Sequence, residues 1–198
     1  FYWESPLEYG EAEIIGIDEI ADIAVIKIDP EGPTKFVKWA NSEQLQMGDD
    51  VIAIGHGLSM PWAVTKGIIS YTDRQPDKSK PMITYNQSDT VINQGNSGGP
   101  LFNMCGEVVG VNTLLFSRTG SFAGVGFSVP SNLAKRSVDQ IIEKGYVTYP
   151  AIGIQMKAVE TLEERKELLA LGIESVIKIE NTPEAGAAYE AGLQKDDV

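Results

Sequence analysis

Over the first two-thirds of the chain, apolar and β-branched residues come in short runs. Residues 13–17, 22–28, 51–55, 64–70, 82–85, 108–112 and 125–129 are such runs, most of them bounded by Gly, Pro, Asn or Asp. Many short strands with turn residues between them predict a β-barrel or a sandwich. No strand–helix alternation occurs there, which argues against a doubly wound α/β sheet. The pattern changes at Pro130-Ser131-Asn132. Leu133, Val138, Ile141 and Ile142 recur at helical spacing up to Gly145, with Ser131 or Asn132 as the N-cap and Gly145 as the stop. It changes again after Pro150. Residues 151–156 and 174–179 read as strands, 162–171 as a charged amphipathic helix and 184–191 as a short helix. A boundary is expected near residue 147, giving units 1–146 and 147–198.

Composition narrows the picture without changing it. In 198 residues, 42% hydrophobic and 22% charged, there is enough apolar material for a packed core. Acidic residues outnumber basic ones 28 to 16, a net charge of −12, and such a surface repels phosphate backbones, so no nucleic-acid partner is expected. Adaptation to a saline environment produces the same excess, and the two causes stay open. The single cysteine, Cys105, excludes an internal disulfide framework. No apolar run is long enough for a membrane span. The chain opens on Phe1 and stops at Asp196-Asp197-Val198, as a strand is beginning. Both ends read as cut, so the lack of a leader carries no weight.

Candidate chemistry centres on Gly95-Asn96-Ser97-Gly98-Gly99-Pro100-Leu101. A nucleophilic serine needs an exposed Oγ and nearby backbone N–H groups free to take a developing oxyanion. Flanking glycines permit the tight backbone that turns those groups inward. A glycine-rich β-turn has the same composition, so the surrounding segments must decide.

Those segments carry a resemblance. Ala21-Asp22-Ile23-Ala24-Val25-Ile26-Lys27 resembles the aspartate-bearing strand of the HtrA/Deg family of trypsin-like serine proteases. Val51-Ile52-Ala53-Ile54-Gly55 with Gly57-Leu58, and Val64-Thr65-Lys66-Gly67-Ile68-Ile69-Ser70, are similar to the opening strands of that family's second barrel. Gln87-Ser88-Asp89-Thr90 leads into the serine run as it does there, and Gly124-Val125-Gly126-Phe127-Ser128-Val129-Pro130-Ser131 resembles the strand walling the substrate cleft. The matches follow one another in order over residues 10–145. The resemblance implies a mostly β, chymotrypsin-like double β-barrel whose first barrel is incomplete, then a C-terminal helix and a partial α+β PDZ domain. It implies Ser97 as nucleophile, the N–H groups of Gly95 and Ser97 as oxyanion hole, and Asp22 as the acid that orients a histidine.

His56 is the one histidine, and with Asp22 and Ser97 it would give the chain order Asp–His–Ser. Trypsin-like enzymes run His–Asp–Ser, so His56 is read as a loop residue without a catalytic role. The base is expected upstream of Phe1, and the chain by itself is expected to be inactive. Asn96 stands where digestive relatives carry an aspartate, which implies control through loops rather than through cleavage. The pocket position falls at Val91 or Ile92, which predicts cleavage after small or medium aliphatic residues; both residues also read as plain core. Residues 114–123 and 74–81 are polar enough to be mobile loops beside a cleft, or ordinary surface connections.

In the second unit, Ala151-Ile152-Gly153-Ile154 after Tyr149-Pro150 resembles the carboxylate-binding loop of a PDZ domain. Thr182-Pro183-Glu184-Ala185 and Ala191-Gly192-Leu193-Gln194-Lys195-Asp196-Asp197-Val198 resemble the segment that leads to its next strand. The N–H groups of Ile152, Gly153 and Ile154 would then take the carboxylate of a peptide that adds as a strand. The resemblance further implies no cofactor and no metal, unfolded polypeptides and protein C-termini as partners, a homotrimer or larger assembly in the intact protein, and a periplasmic or otherwise exported location. Two other readings remain: a catalytically inactive, chaperone-like peptide binder, and a non-enzymatic barrel whose turn mimics the serine motif.

Overall fold

The computed structural model describes residues 11–30, 32–56, 63–76, 83–93, 95–115, 123–159, 161–172, 177–184 and 186–197. Compact packing divides the chain between Val147 and Thr148.

The described part of the first unit begins with an antiparallel hairpin, β1 (Glu13–Asp18) and β2 (Ile23–Lys27). A short 3-10 turn, Ser42–Gln44, leads to a closed barrel. Its strands are β3 (Asp50–Gly55), β4 (Ala63–Arg74), β5 (Tyr85–Ser88), β6 (Pro100–Asn103), β7 (Val108–Leu115) and β8 (Gly126–Pro130), arranged β3-β4-β5-β8-β7-β6 with every neighbour antiparallel. Alternation puts Val51 and Ala53 of β3 inside, with Ile69, Leu101 and Val109 from β4, β6 and β7 packed on them. Each of the valine, isoleucine and leucine side chains contributes about 1.5–3 kcal/mol by leaving water. The closed barrel and the mostly β content are what the strand pattern predicts, and the two-stranded hairpin falls where the resemblance places the incomplete first barrel.

Two strand expectations shift. β6 was not among the expected runs, because Pro100 and its short length hide it, yet it pairs with both β3 and β7. β5 starts at Tyr85 rather than ending there, and its Asn86 and Ser88 are buried. A closed barrel buries polar strand residues that periodicity assigns to solvent.

Helix α1 (Ser131–Lys144) ends at Gly145, which takes φ 82° and donates its N–H to the Ile141 oxygen, a left-handed C-cap. Neither expected N-cap performs that role. Ser131 Oγ donates to the Ala40 oxygen at 2.8 Å, and Asn132 Oδ1 accepts the Ser42 N–H at 3.2 Å, so both tie the helix to the 40–42 segment. Ser131, Ala134, Ser137 and Ile141 form the buried face, while Ile142 is 66% exposed. Small residues, rather than the Leu133–Ile142 pattern, let the helix approach closely.

In the second unit, β9 (Gln155–Ala158) pairs antiparallel with β10 (Ile177–Asn181), and α2 (Leu162–Ala170) and α3 (Ala187–Glu190) complete the described elements. Residues 151–154, expected as strand, precede β9 as loop. Among the described residues no helix is long and apolar enough to cross a membrane.

Candidate active site

Strands β1 and β2 are joined through Glu19-Ile20-Ala21-Asp22, a turn that puts Asp22 at φ 59°, in the left-handed region. Aspartate is among the few residues bearing a side chain that adopt it. Asp18 stitches the turn: its Oδ1 accepts the N–H groups of Ile20 and Ala21, each at 3.1 Å. Asp22 is exposed, and its Oδ2 accepts a hydrogen bond from Thr113 Oγ1 on β7. Ser97 is also exposed and also meets Thr113, its Oγ donating to the Thr113 main-chain oxygen at 3.0 Å. One residue thus holds the hairpin's carboxylate by its side chain and the loop's hydroxyl by its main chain.

Backbone hydrogen bonds account for the shape of the serine loop. Asn96 N–H donates to the Asn93 oxygen at 3.0 Å, and Gly95 just before it has φ 103°, in the left-handed region that favours glycine. Gly98 N–H donates to the Asn112 oxygen at 2.7 Å, Asn112 N–H returns to the Gly99 oxygen at 2.9 Å, and Gly99 N–H reaches the Asn96 oxygen at 2.9 Å. The N–H groups of Asn96, Gly98 and Gly99 are therefore spent inside the protein. Those of Gly95 and Ser97 donate to no acceptor among the described residues. Two free donors on alternate residues, flanking an exposed hydroxyl, are what a developing oxyanion requires. Asn96 is buried; its Nδ2 reaches the Val91 oxygen at 3.4 Å, and its Oδ1 lies against Gly55 without a partner.

Val91 is 41% exposed, whereas Ile92 is 0% exposed and packs on Gly126. Of the two residues expected to line a substrate pocket, Ile92 is therefore core and offers no surface to a ligand, because its side chain fills the space that Gly126 leaves open. His56, at the end of β3, lines a cavity of about 420 Å³ with Ile54, Gly95, Pro100 and Phe102. It makes no hydrogen bond to Asp22 or Ser97. Thr113 is the site residue that sequence reading missed, since the run at 108–112 ends one position before it. A hydroxyl at the end of a strand was the available signal. The middles of the two polar loops, 116–122 and 77–82, lie outside the described residues, as do Gly57-Leu58 and 173–176.

In the second unit, Gly153 has φ 75°, and a Cβ there would lie 3.0 Å from Gly186 Cα. The Ile152 oxygen accepts the Ala188 N–H at 2.8 Å, while the N–H groups of Ile152, Gly153 and Ile154 donate to no acceptor among the described residues.

The trypsin-like peptidase domain family matches residues 6–111, which include Asp22 and Ser97. The HtrA-type protease AlgW, solved with a tripeptide, superposes with a TM-score of 0.80 at 34% identity, covering 94% of this chain and 61% of that one. The chain belongs to the HtrA-type trypsin-like peptidases. Curated HtrA-type relatives include probable periplasmic serine endoproteases described as DegP-like. That of Rickettsia prowazekii (strain Madrid E) is 38% identical over 190 residues, and that of Chlamydia muridarum (strain MoPn / Nigg) is 40% identical over 190. Each alignment covers 94% of this chain and 37% of the relative, so the chain spans little more than a third of the curated HtrA-type proteins it matches.

Proposed function

We propose that this chain is the nucleophile-bearing part of a serine endopeptidase that cleaves unfolded polypeptides through an acyl-enzyme. The observation that carries the reading is the convergence of Asp22 and Ser97 on Thr113 beside two unspent N–H groups. Ser97 Oγ attacks the scissile carbonyl carbon, and the N–H groups of Gly95 and Ser97 take the negative oxygen. A histidine outside this chain accepts the Oγ proton and returns it to the departing amine. Water then attacks the ester and releases the acid. Thr113 occupies Oδ2 of Asp22, leaving Oδ1 to orient that imidazole. Val91, exposed and four residues before the serine loop, is the apolar residue proposed to line the substrate pocket, which favours small or medium aliphatic side chains before the cleaved bond.

The second unit serves as a PDZ-like module for C-terminal peptides, with the free N–H groups of Ile152, Gly153 and Ile154 as the carboxylate cradle. AlgW, solved with a decapeptide and with a tripeptide, is a similar protein that takes peptides. The DegP-like names of the relatives support an exported, periplasmic protein, and the intact molecule is proposed to assemble as a trimer or larger. The alternative is an inactive, peptide-binding relative: His56 bonds neither Asp22 nor Ser97, although it lines a cavity together with Gly95 of the serine loop. Fluorophosphonate labelling of the full-length gene product decides between them. Labelling at Ser97 that Ser97→Ala abolishes is expected, and no labelling under any activating condition would establish the inactive relative.

A further inference from the structure

A two-stranded hairpin is marginal by itself, and the outward residues Ile14, Ile17 and Ile26 of β1 and β2 are largely exposed. Among the described residues this hairpin packs chiefly on helix α1. At Gly16 a Cβ would lie 2.8 Å from both the Gly145 oxygen and Ile141 Cγ2, so glycine allows a contact that no other residue fits. Two residues on, Asp18 is 3% exposed and its oxygens divide their work. Oδ2 accepts a hydrogen bond from the fully buried Ser137 Oγ at 2.6 Å, and Oδ1 accepts the N–H groups of Ile20 and Ala21. A carboxylate buried this deeply persists only when it is hydrogen-bonded.

Its bonds hold the residue before Asp22, which is itself held at a positive φ that only an over-determined surrounding sustains. We infer that Asp18 is a positioning residue for the acid of the site: anchored on Ser137 of α1, it sets the turn that delivers the Asp22 carboxylate to Thr113. The claim rests on the protease reading above and adds to it a residue that touches neither substrate nor reacting atoms. Asparagine reproduces the pattern, with its carbonyl oxygen on the two N–H groups and its amide donating to Ser137 Oγ.

The test uses the full-length gene product, with kcat and KM on an unfolded-protein-derived peptide and the rate of fluorophosphonate labelling of Ser97. Asp18→Ala is expected to lower kcat by about 10- to 100-fold with KM nearly unchanged, the scale of a misplaced catalytic group. Labelling is expected to slow in step. Asp18→Asn is expected to recover most of the loss. Asp18→Ala combined with Asp22→Ala is expected to be no slower than Asp22→Ala alone, because Asp18 acts through Asp22. Should Asp18→Ala fail to fold, Ser137→Ala removes the Oδ2 anchor alone and is expected to show the same fall in kcat, several-fold in size. An Asp18→Asn variant as slow as Asp18→Ala, additivity with Asp22→Ala, or an unchanged kcat in Ser137→Ala would each overturn the inference. If the wild type never labels, it is the protease reading that fails. Positioning is then read from crystal structures, in which Ser137→Ala must release Asp22 from Thr113.

Discussion

Thr113→Val removes the hydroxyl that holds Asp22 while keeping the side-chain shape and the main-chain oxygen that receives Ser97. A hydrogen bond to a charged group contributes about 1.5–3 kcal/mol when water is excluded. Asp22 is exposed, so in the free protein water replaces the lost donor and the stability cost falls to about 0.5 kcal/mol or less. The melting temperature should scarcely move. Catalysis responds differently, because a bound polypeptide excludes that water while the carboxylate must orient an imidazole. A loss of about 1–2 kcal/mol in the closed complex lowers kcat/KM by roughly 5- to 30-fold. Thr113→Ser keeps a hydroxyl and should lie between the variant and the wild type. The assay is cleavage of a quenched-fluorescence peptide by the full-length gene product, alongside thermal unfolding. Wild-type kcat/KM in Thr113→Val, or a Thr113→Ser variant no better than it, would refute the role given to Oγ1. A large drop in melting temperature would show that the bond is structural rather than orienting.

Gly95→Ala forces a side chain into φ 103° and turns one of the two free donors away, so cleavage should fall by about 100- to 1,000-fold while peptide binding persists, measured as kcat against Kd. His56→Asn should leave kcat/KM at the wild-type level, since His56 meets neither Asp22 nor Ser97; a loss comparable to that of Ser97→Ala would return His56 to the mechanism. Leu101→Ala opens a cavity at the centre of the barrel and should cost about 2–5 kcal/mol in denaturant unfolding.

The barrel was largely legible because β3, β4, β7 and β8 are apolar, β-branched and bounded by turn residues. Strand β6 was not, since Pro100-Leu101-Phe102-Asn103 is too short to show a period and its pairing is decided by β3 and β7. The serine loop could be read because its conformation is local, set by glycines within five positions. Thr113 and Asp18 could not, for the opposite reason. Thr113 meets a partner 91 residues away and Asp18 one 119 residues away, and each looks in sequence like an ordinary polar residue at the edge of a strand. Helix α1 misled in a similar way: its partners prefer small side chains, so Ala134 and Ser137 are buried where Ile142 was expected.

The hairpin's contact with α1 bears on the order in which this chain opens. The barrel is closed and shares its core among six strands, whereas among the described residues β1 and β2 pair only with each other and leave Ile14, Ile17 and Ile26 exposed. Regions with few buried contacts open first, well below the free energy of global unfolding. Hydrogen exchange should therefore find the amides of β1 and β2 trading with solvent while those of β3, β4 and β7 stay protected. In that partly open state Asp22 departs with the hairpin and Ser97 remains in an intact barrel. In this chain the acid of the site would therefore leave before the nucleophile's loop does, at a temperature where most of the described fold still stands.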